Sequence, residues 1–154
     1  MIKKNNKTPL HQITDGNYFQ QIVAEYFRSL KKEKLDFHIA DIDVHDSGIG
    51  CDNGCDLLVD FHFEDGWVVE CKWRRRAVGN RDINSSNLGL IIDNKKANGY
   101  LLVCISDASS SLKELLNNNK TKSIVWNGSQ LWHKLIESKK IIESFFPDYY
   151  YEYF

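Results

Sequence analysis

The chain has 154 residues, 42% apolar and 27% charged, with a net charge of −1. These are the proportions of a soluble globular protein with one compact domain and a sizeable core, and the near-neutral balance excludes a global basic field that would advertise nucleic acid, leaving room only for a local patch. No apolar run approaches the length of a bilayer span, and the lysines of MIKKNNKTPLHQ have no apolar stretch behind them, so neither a membrane segment nor a signal peptide is expected.

Residues 1–13 are polar and read as a flexible arm. A helix follows, with Thr14 or Asp15 as N-cap. Tyr18, Phe19, Ile22, Val23, Tyr26, Phe27 and Leu30 recur at helical spacing on one face, and lysines 31, 32 and 34 close it. Phe37, Ile39, Ile42 and Val44 alternate with polar residues as a half-wet strand, and residues 45–54 form a loop rich in Gly, Asp and Asn. Leu57 to Phe63 and Trp67 to Trp73 read as two strands of a hairpin turning at Glu64-Asp65-Gly66. Asp82 to Ala97 reads as a helix stopped by Asn98-Gly99. Tyr100 to Ile105 is a continuous apolar run, as in a strand covered on both faces. A short helix over residues 109–118, a short strand over 123–126, an Asn127-Gly128 turn and a closing helix over 129–140 complete the order. Three strands followed by strand–helix alternation imply an α/β fold, a mixed sheet flanked by helices in the order α-β-β-β-α-β-α-β-α. The domain is expected to span 14–140. The tail 141–154 ends in FFPDYYYEYF, seven aromatics in ten residues, a composition that rarely stays bare in water.

The chemistry concentrates around the hairpin. Glu70 and Lys72 stand two apart on a strand and so share a face, where a core strand would prefer apolar residues. Asp56 and Asp60 share one face of the preceding strand. Carboxylates and an ammonium at one place in a sheet are costly to bury unless they bind something, and a divalent cation beside a phosphate is the natural candidate. If the turn pairs Phe63 with Trp67, Glu70 lies near Asp60, and Asp56 needs twist or a bulge to approach it. Asp56 and Asp60 therefore both stand as candidate ligands, with the backbone carbonyl of Cys71 as a further one. Lys72, Arg74, Arg75 and Arg76 form a basic run beside this site, suited to phosphate contacts. Cys51, Cys55, Cys71 and Cys104 suggest free thiols in a reducing, cytoplasmic compartment rather than a disulfide framework; Cys-x₃-Cys without a second pair fits structural zinc poorly.

The ordered set resembles the PD-(D/E)xK nuclease superfamily, and most closely the Mrr-type (type IV) restriction endonuclease domain. DGNYFQQIVAEYF (Asp15 to Phe27) is similar to that family's opening helix, GCDLLVD (Gly54 to Asp60) to its Gly-x-Asp strand and VVECKW (Val68 to Trp73) to its Gln/Glu-Cys-Lys strand. NGYLLVCISDASSSLKELL (Asn98 to Leu116) and IVWNGSQLWHKLI (Ile124 to Ile136) are similar to its later strands and helices. The likeness runs from about residue 14 to 136. It implies a restriction-endonuclease-like fold and a Mg²⁺-dependent endonuclease, with Mn²⁺ able to substitute. By the resemblance Asp56 and Glu70 are metal ligands and Lys72 is the catalytic lysine, which favours Asp56 and leaves Asp60 in reserve. The sequence departs from the pattern at Gln20, where the family often carries a first-helix glutamate; Glu25, one and a half turns later, is the other polar candidate on that helix. The glutamine usual on the helix after the lysine strand has only Asn84 and Asn87 in its place.

The resemblance also implies DNA as partner and defence against foreign DNA as role. A homodimer, or a recognition or motor protein whose cutting domain this is, are the partners such chemistry calls for. Two alternatives fit the same residues: a non-catalytic nucleic-acid-binding module of the same fold, and an RNA-directed nuclease.

Overall fold

The computed structural model describes residues 8–33, 44–46, 55–59, 67–83, 98–119 and 121–154, as backbone only at 31–33, 44–46, 55–56 and 58–59. A 3-10 turn, Pro9–Gln12, precedes helix α1, Gly16–Glu33. Of the two candidate caps, Asp15 starts this helix: its carboxylate accepts from the Asn17 amide at 2.8 Å and its carbonyl from Phe19 at 3.0 Å. Phe19, Ile22, Val23, Tyr26, Phe27 and Leu30 are buried, whereas Tyr18 stays 40% exposed at the rim and meets Phe145 edge-on. The last residues of the expected arm are not loose. Leu10 and Ile13 lie in the core, and the Trp73 indole donates to the Ile13 carbonyl at 2.8 Å.

The described strands are β1 (Val44–Asp46), β2 (Cys55–Val59), β3 (Trp67–Lys72), β4 (Gly99–Cys104) and β5 (Lys122–Trp126). They form one sheet in sequential order. The β1–β2 and β2–β3 pairs are antiparallel, and the β3–β4 and β4–β5 pairs parallel, so the sheet is mixed as expected. Helices α2 (Ser110–Asn117), α3 (Gly128–Leu135), α4 (Lys139–Phe145) and the short α5 (Tyr150–Tyr153) complete the order. Most of the helix expected over 82–97, most of the first strand and the turn at 64–66 lie outside the described residues; of the loop expected over 45–54, its first two residues extend β1.

The hairpin register differs from the expected one. Val59, not Phe63, pairs with Trp67, and Asp56, not Asp60, pairs with Glu70. The physical reason is that a shift by an even number of residues leaves every side chain on its own face, so the apolar alternation cannot tell the two pairings apart. The expected closing helix over 129–140 is also two helices. Ser138, fully buried, accepts from the Ile141 amide at 3.3 Å and starts α4 afresh.

The core is split by the sheet. On one face Val69, Cys71, Leu101, Val103 and Ile105 pack under α1, α3 and α4; on the other, Tyr100, Leu102 and Cys104 pack with Val78, Ala108, Leu112 and Leu116. Strand β4 is buried along its whole length, as its unbroken apolar run implies. The aromatic tail folds back rather than standing in water. Phe146, Tyr149 and Tyr153 surround Trp132 with ring centroids 5.0, 5.7 and 6.0 Å away, and Gln12 donates to the Tyr149 hydroxyl at 3.1 Å.

Candidate active site

Strand β3 alternates between the two cores, and this alternation builds the site. Val69 and Cys71 point into the core beneath α1. Glu70 and Lys72 therefore belong to the opposite face, where they are 0% and 2% exposed. Burying either charge alone would cost several kcal/mol, on the order estimated for unpaired ions in a protein interior. They answer each other: Lys72 Nζ lies 3.1 Å from Glu70 Oε2. The Tyr100 hydroxyl donates to Glu70 Oε1 at 2.6 Å, a short charge-assisted bond. Behind them, burial pushes the Cys104 thiol up to about 12, which keeps it protonated and chemically quiet.

Asp56 sits directly opposite Glu70 in the β2–β3 ladder. Cross-strand partners share a face of the pleat, with Cα atoms roughly 4.5–5.5 Å apart. Two acidic positions and a lysine thus meet at one point of the sheet, and the offset the sequence suggested disappears with the corrected register. Asp60 and the side chain of Asp56 lie outside the described residues, as do Asn84 and Asn87. Among the described residues no group of three or more His, Cys, Asp or Glu side chains is gathered around a metal position. The donor set still fits a hard divalent ion. Its acids supply only oxygen, which such ions prefer, and the Lys72 ammonium against Glu70 shows that this buried carboxylate already draws positive charge.

The basic run after Lys72 is tied down. Arg76 makes a bidentate pair with Asp82 at 2.7 and 2.8 Å, and Arg74 Nε lies 3.7 Å from the same carboxylate. The hydrogen bonds from Arg76 hold the Asp82 carboxyl at about 2 against the opposing effect of burial, with the Gly79 amide and both guanidinium charges adding to the pull. The segment is further pinned to the start of α2, where Val78 bridges Ala108 and Ser109 donates to the Val78 carbonyl at 2.8 Å. Arg75 is held by no carboxylate among the described residues. It is exposed, donates to the His11 carbonyl at 3.5 Å and keeps its guanidinium 5.6 Å from the Trp73 ring, on an open groove it shares with His11, Gln12, Tyr149, Glu152 and Tyr153. Asp82→Asn is expected to loosen Arg74 and Arg76 and to lower the melting temperature at neutral pH by about 2–4 °C, the scale of one well-formed surface pair in a chain this long. Because the folded carboxyl titrates below its ordinary 3.8, its contribution is complete above that value and lost as pH falls toward about 2. Melting curves of both proteins from pH 7 to pH 2 check this; an identical acid limb in the variant would show that the clamp contributes nothing.

The two first-helix candidates part company. Glu25 pairs with Arg28 at 2.6 Å on the outer surface, beside Lys140 and Ser144 of α4. Gln20 is buried on α1. The residue that sequence reasoning missed is Tyr100. A lone hydroxyl inside an apolar strand was the available signal, since a buried tyrosine oxygen needs a partner.

Residues 11–135 match the Mrr_cat family model, described as restriction endonuclease. No curated protein and no solved structure matches the chain. The matched stretch runs from the docked 3-10 turn through the acid–lysine strand to the end of α3, so the chain belongs to the Mrr_cat restriction endonuclease family and carries its restriction-endonuclease-like nuclease domain.

Proposed function

We propose that this protein is a divalent-metal-dependent DNA endonuclease in which Asp56 and Glu70 hold the ion and Lys72 serves the attacking water. The observation that carries this reading is the pairing of Asp56 with Glu70 across the β2–β3 ladder, with Lys72 Nζ 3.1 Å from the Glu70 carboxylate. Mg²⁺, or Mn²⁺ in its place, would supply Lewis-acid polarisation of the phosphodiester and a lowered pKa for bound water. The Cys71 carbonyl, between the two functional side chains, is a further candidate ligand, and Asp60 the reserve acid.

The residues of the chain do the remainder. Glu70 and Asp56 fix where positive charge can sit. Lys72, held by Glu70, orients the water and offsets charge that builds on the phosphoryl oxygens. In the hydrolysis the water oxygen bonds to phosphorus and the bond to the leaving sugar oxygen breaks, its electron pair staying on that oxygen. The proton lost by water is balanced by one gained by the leaving group. Arg75, exposed and stacked by Trp73, is the member of the basic run best disposed toward a DNA phosphate; Arg74 and Arg76 reach one only while shared with Asp82. Defence against foreign DNA is the role in which such a cutting domain serves, within a larger assembly or as a dimer that supplies two sites for two strands.

Supercoiled plasmid, incubated with Mg²⁺ or Mn²⁺, tests the assignment through a pair of variants. Asp56→Asn is expected to lower cleavage at least about a hundredfold, as EDTA does for the wild type, while Asp60→Asn stays within about threefold. The reverse ranking would move the ligand to Asp60. A wild-type protein inert with every metal and on both DNA and RNA would sink the nuclease reading in favour of a binding module.

A further inference from the structure

Glu70 stands in an unusual place for an acid. Its parallel neighbour across the β3–β4 ladder is Leu102, and the same face carries Val68, Cys104, Ala108 and Leu112. Lys72 supplies a counter-charge to Oε2, but the terminal torsion of this side chain is broad, and a contact at one oxygen does little to set the plane of the carboxylate. A contact at the second oxygen does. Tyr100, 2% exposed, donates its hydroxyl to Oε1 at 2.6 Å.

The reach of this bond follows from the register. Tyr100 pairs with Val68, so it lies one same-face step before Glu70 on the adjacent parallel strand. Two residues of strand span roughly 6.5 Å, a diagonal that the long phenol can cross and that a serine or threonine hydroxyl cannot. A phenylalanine would fill the same apolar volume and leave Oε1 without this donor. Lys72 on Oε2 and Tyr100 on Oε1 hold the carboxylate from two different oxygens, and of these two only Lys72 carries charge. The neutral partner therefore orients Glu70 without competing for the place of a cation.

We infer that Tyr100 is a positioning residue, which locks the Glu70 carboxylate through Oε1 so that the acid presents a preset face to a divalent ion. This rests on the proposed role of Glu70 as a ligand. Partners that orient a ligating carboxylate typically change metal affinity by 10–100-fold when removed. The effect should thus appear in binding of the metal itself, before any DNA is present.

Calorimetric titration of the metal-free protein with Mn²⁺ tests it, using wild type, Tyr100→Phe, Glu70→Gln and the double variant. Tyr100→Phe is expected to bind Mn²⁺ about tenfold more weakly. Glu70→Gln should abolish the same binding, and adding Tyr100→Phe to it should change nothing more. Mn²⁺ affinity within twofold of wild type in a folded Tyr100→Phe protein, with Glu70→Gln dead, would overturn the role of Tyr100 and leave the proposed function standing. Unchanged affinity in Glu70→Gln would instead remove Glu70 as a ligand, and the role of Tyr100 with it. Should Tyr100→Phe not fold, 3-fluorotyrosine placed at position 100 keeps the hydroxyl. Its fluorine resonance is expected to move with Mg²⁺ at the calorimetric midpoint, and a resonance that ignores Mg²⁺ up to saturation would overturn the proposal.

Discussion

Lys72→Ala is expected to slow plasmid cleavage by about a thousandfold at saturating metal, the upper range for removing one preorganised electrostatic group from a reaction centre. The same change should also destabilise the protein. Glu70 is fully buried, and the variant loses the ammonium that stands 3.1 Å from its carboxylate. Breaking a buried pair in this way costs about 3–5 kcal/mol, which in a chain of this length corresponds to a fall in melting temperature of about 10 °C. The two effects can be separated. Adding Glu70→Gln removes the buried charge and should restore much of the melting temperature while cleavage stays lost. Steady-state cleavage of a fluorescent duplex and thermal denaturation check both. Wild-type cleavage by a folded Lys72→Ala protein would end the proposed mechanism.

Gly128→Ala should be the most destabilising single methyl added to the described residues. Gly128 opens α3 under the end of β4, with its amide donating to the Ser106 carbonyl at 2.9 Å. A Cβ at this position would overlap the backbone carbonyl of Ile105. A flexible side chain could move aside, but this carbonyl belongs to the backbone directly after the buried strand β4, so relief requires α3 to lift away from the sheet. Overpacking against backbone of this kind costs about 3 kcal/mol, and α3 carries Leu131, Trp132 and Leu135 into the core. Urea denaturation checks the expectation; a midpoint unchanged from wild type would mean that the helix start has more freedom than its packing implies. Gly99, whose added Cβ would meet the ring of Trp67, offers a milder comparison because a side chain stands in the way rather than backbone.

The parts of the fold that were legible from the residues are those written in period. Helix α1 announces itself by its apolar stripe and β4 by an unbroken apolar run. Glu70 and Lys72 stand out because two charges interrupt one face of a strand. What escaped was information that period does not carry. The hairpin register depends on how many residues the connection takes, and an even shift leaves the pattern intact, so Asp60 looked nearer to Glu70 than Asp56. The end of the last helix depends on one serine: Ser138 reads as an ordinary helical residue until its hydroxyl is seen on the Ile141 amide. Pairings between distant residues were invisible in principle. The capture of Arg74 and Arg76 by Asp82 sets two guanidiniums of the basic run on one carboxylate and leaves Arg75 exposed beside them. Tyr100 reads as one more residue of an apolar run, and only the structure shows its hydroxyl on Glu70.

The clasp around Trp132 bears on how this domain can be handled. The family match ends at residue 135, while the core does not: Ile141, Ile142 and Phe146 pack with Leu10, Phe27 and Trp132 in the same cluster. A piece trimmed to the matched boundary would keep the acid–lysine strand and yet expose the indole that Phe146, Tyr149 and Tyr153 enclose. Homology and folding thus draw their borders at different places along this chain, and an expression fragment or fusion joint chosen by homology alone would cut through the interior of the molecule.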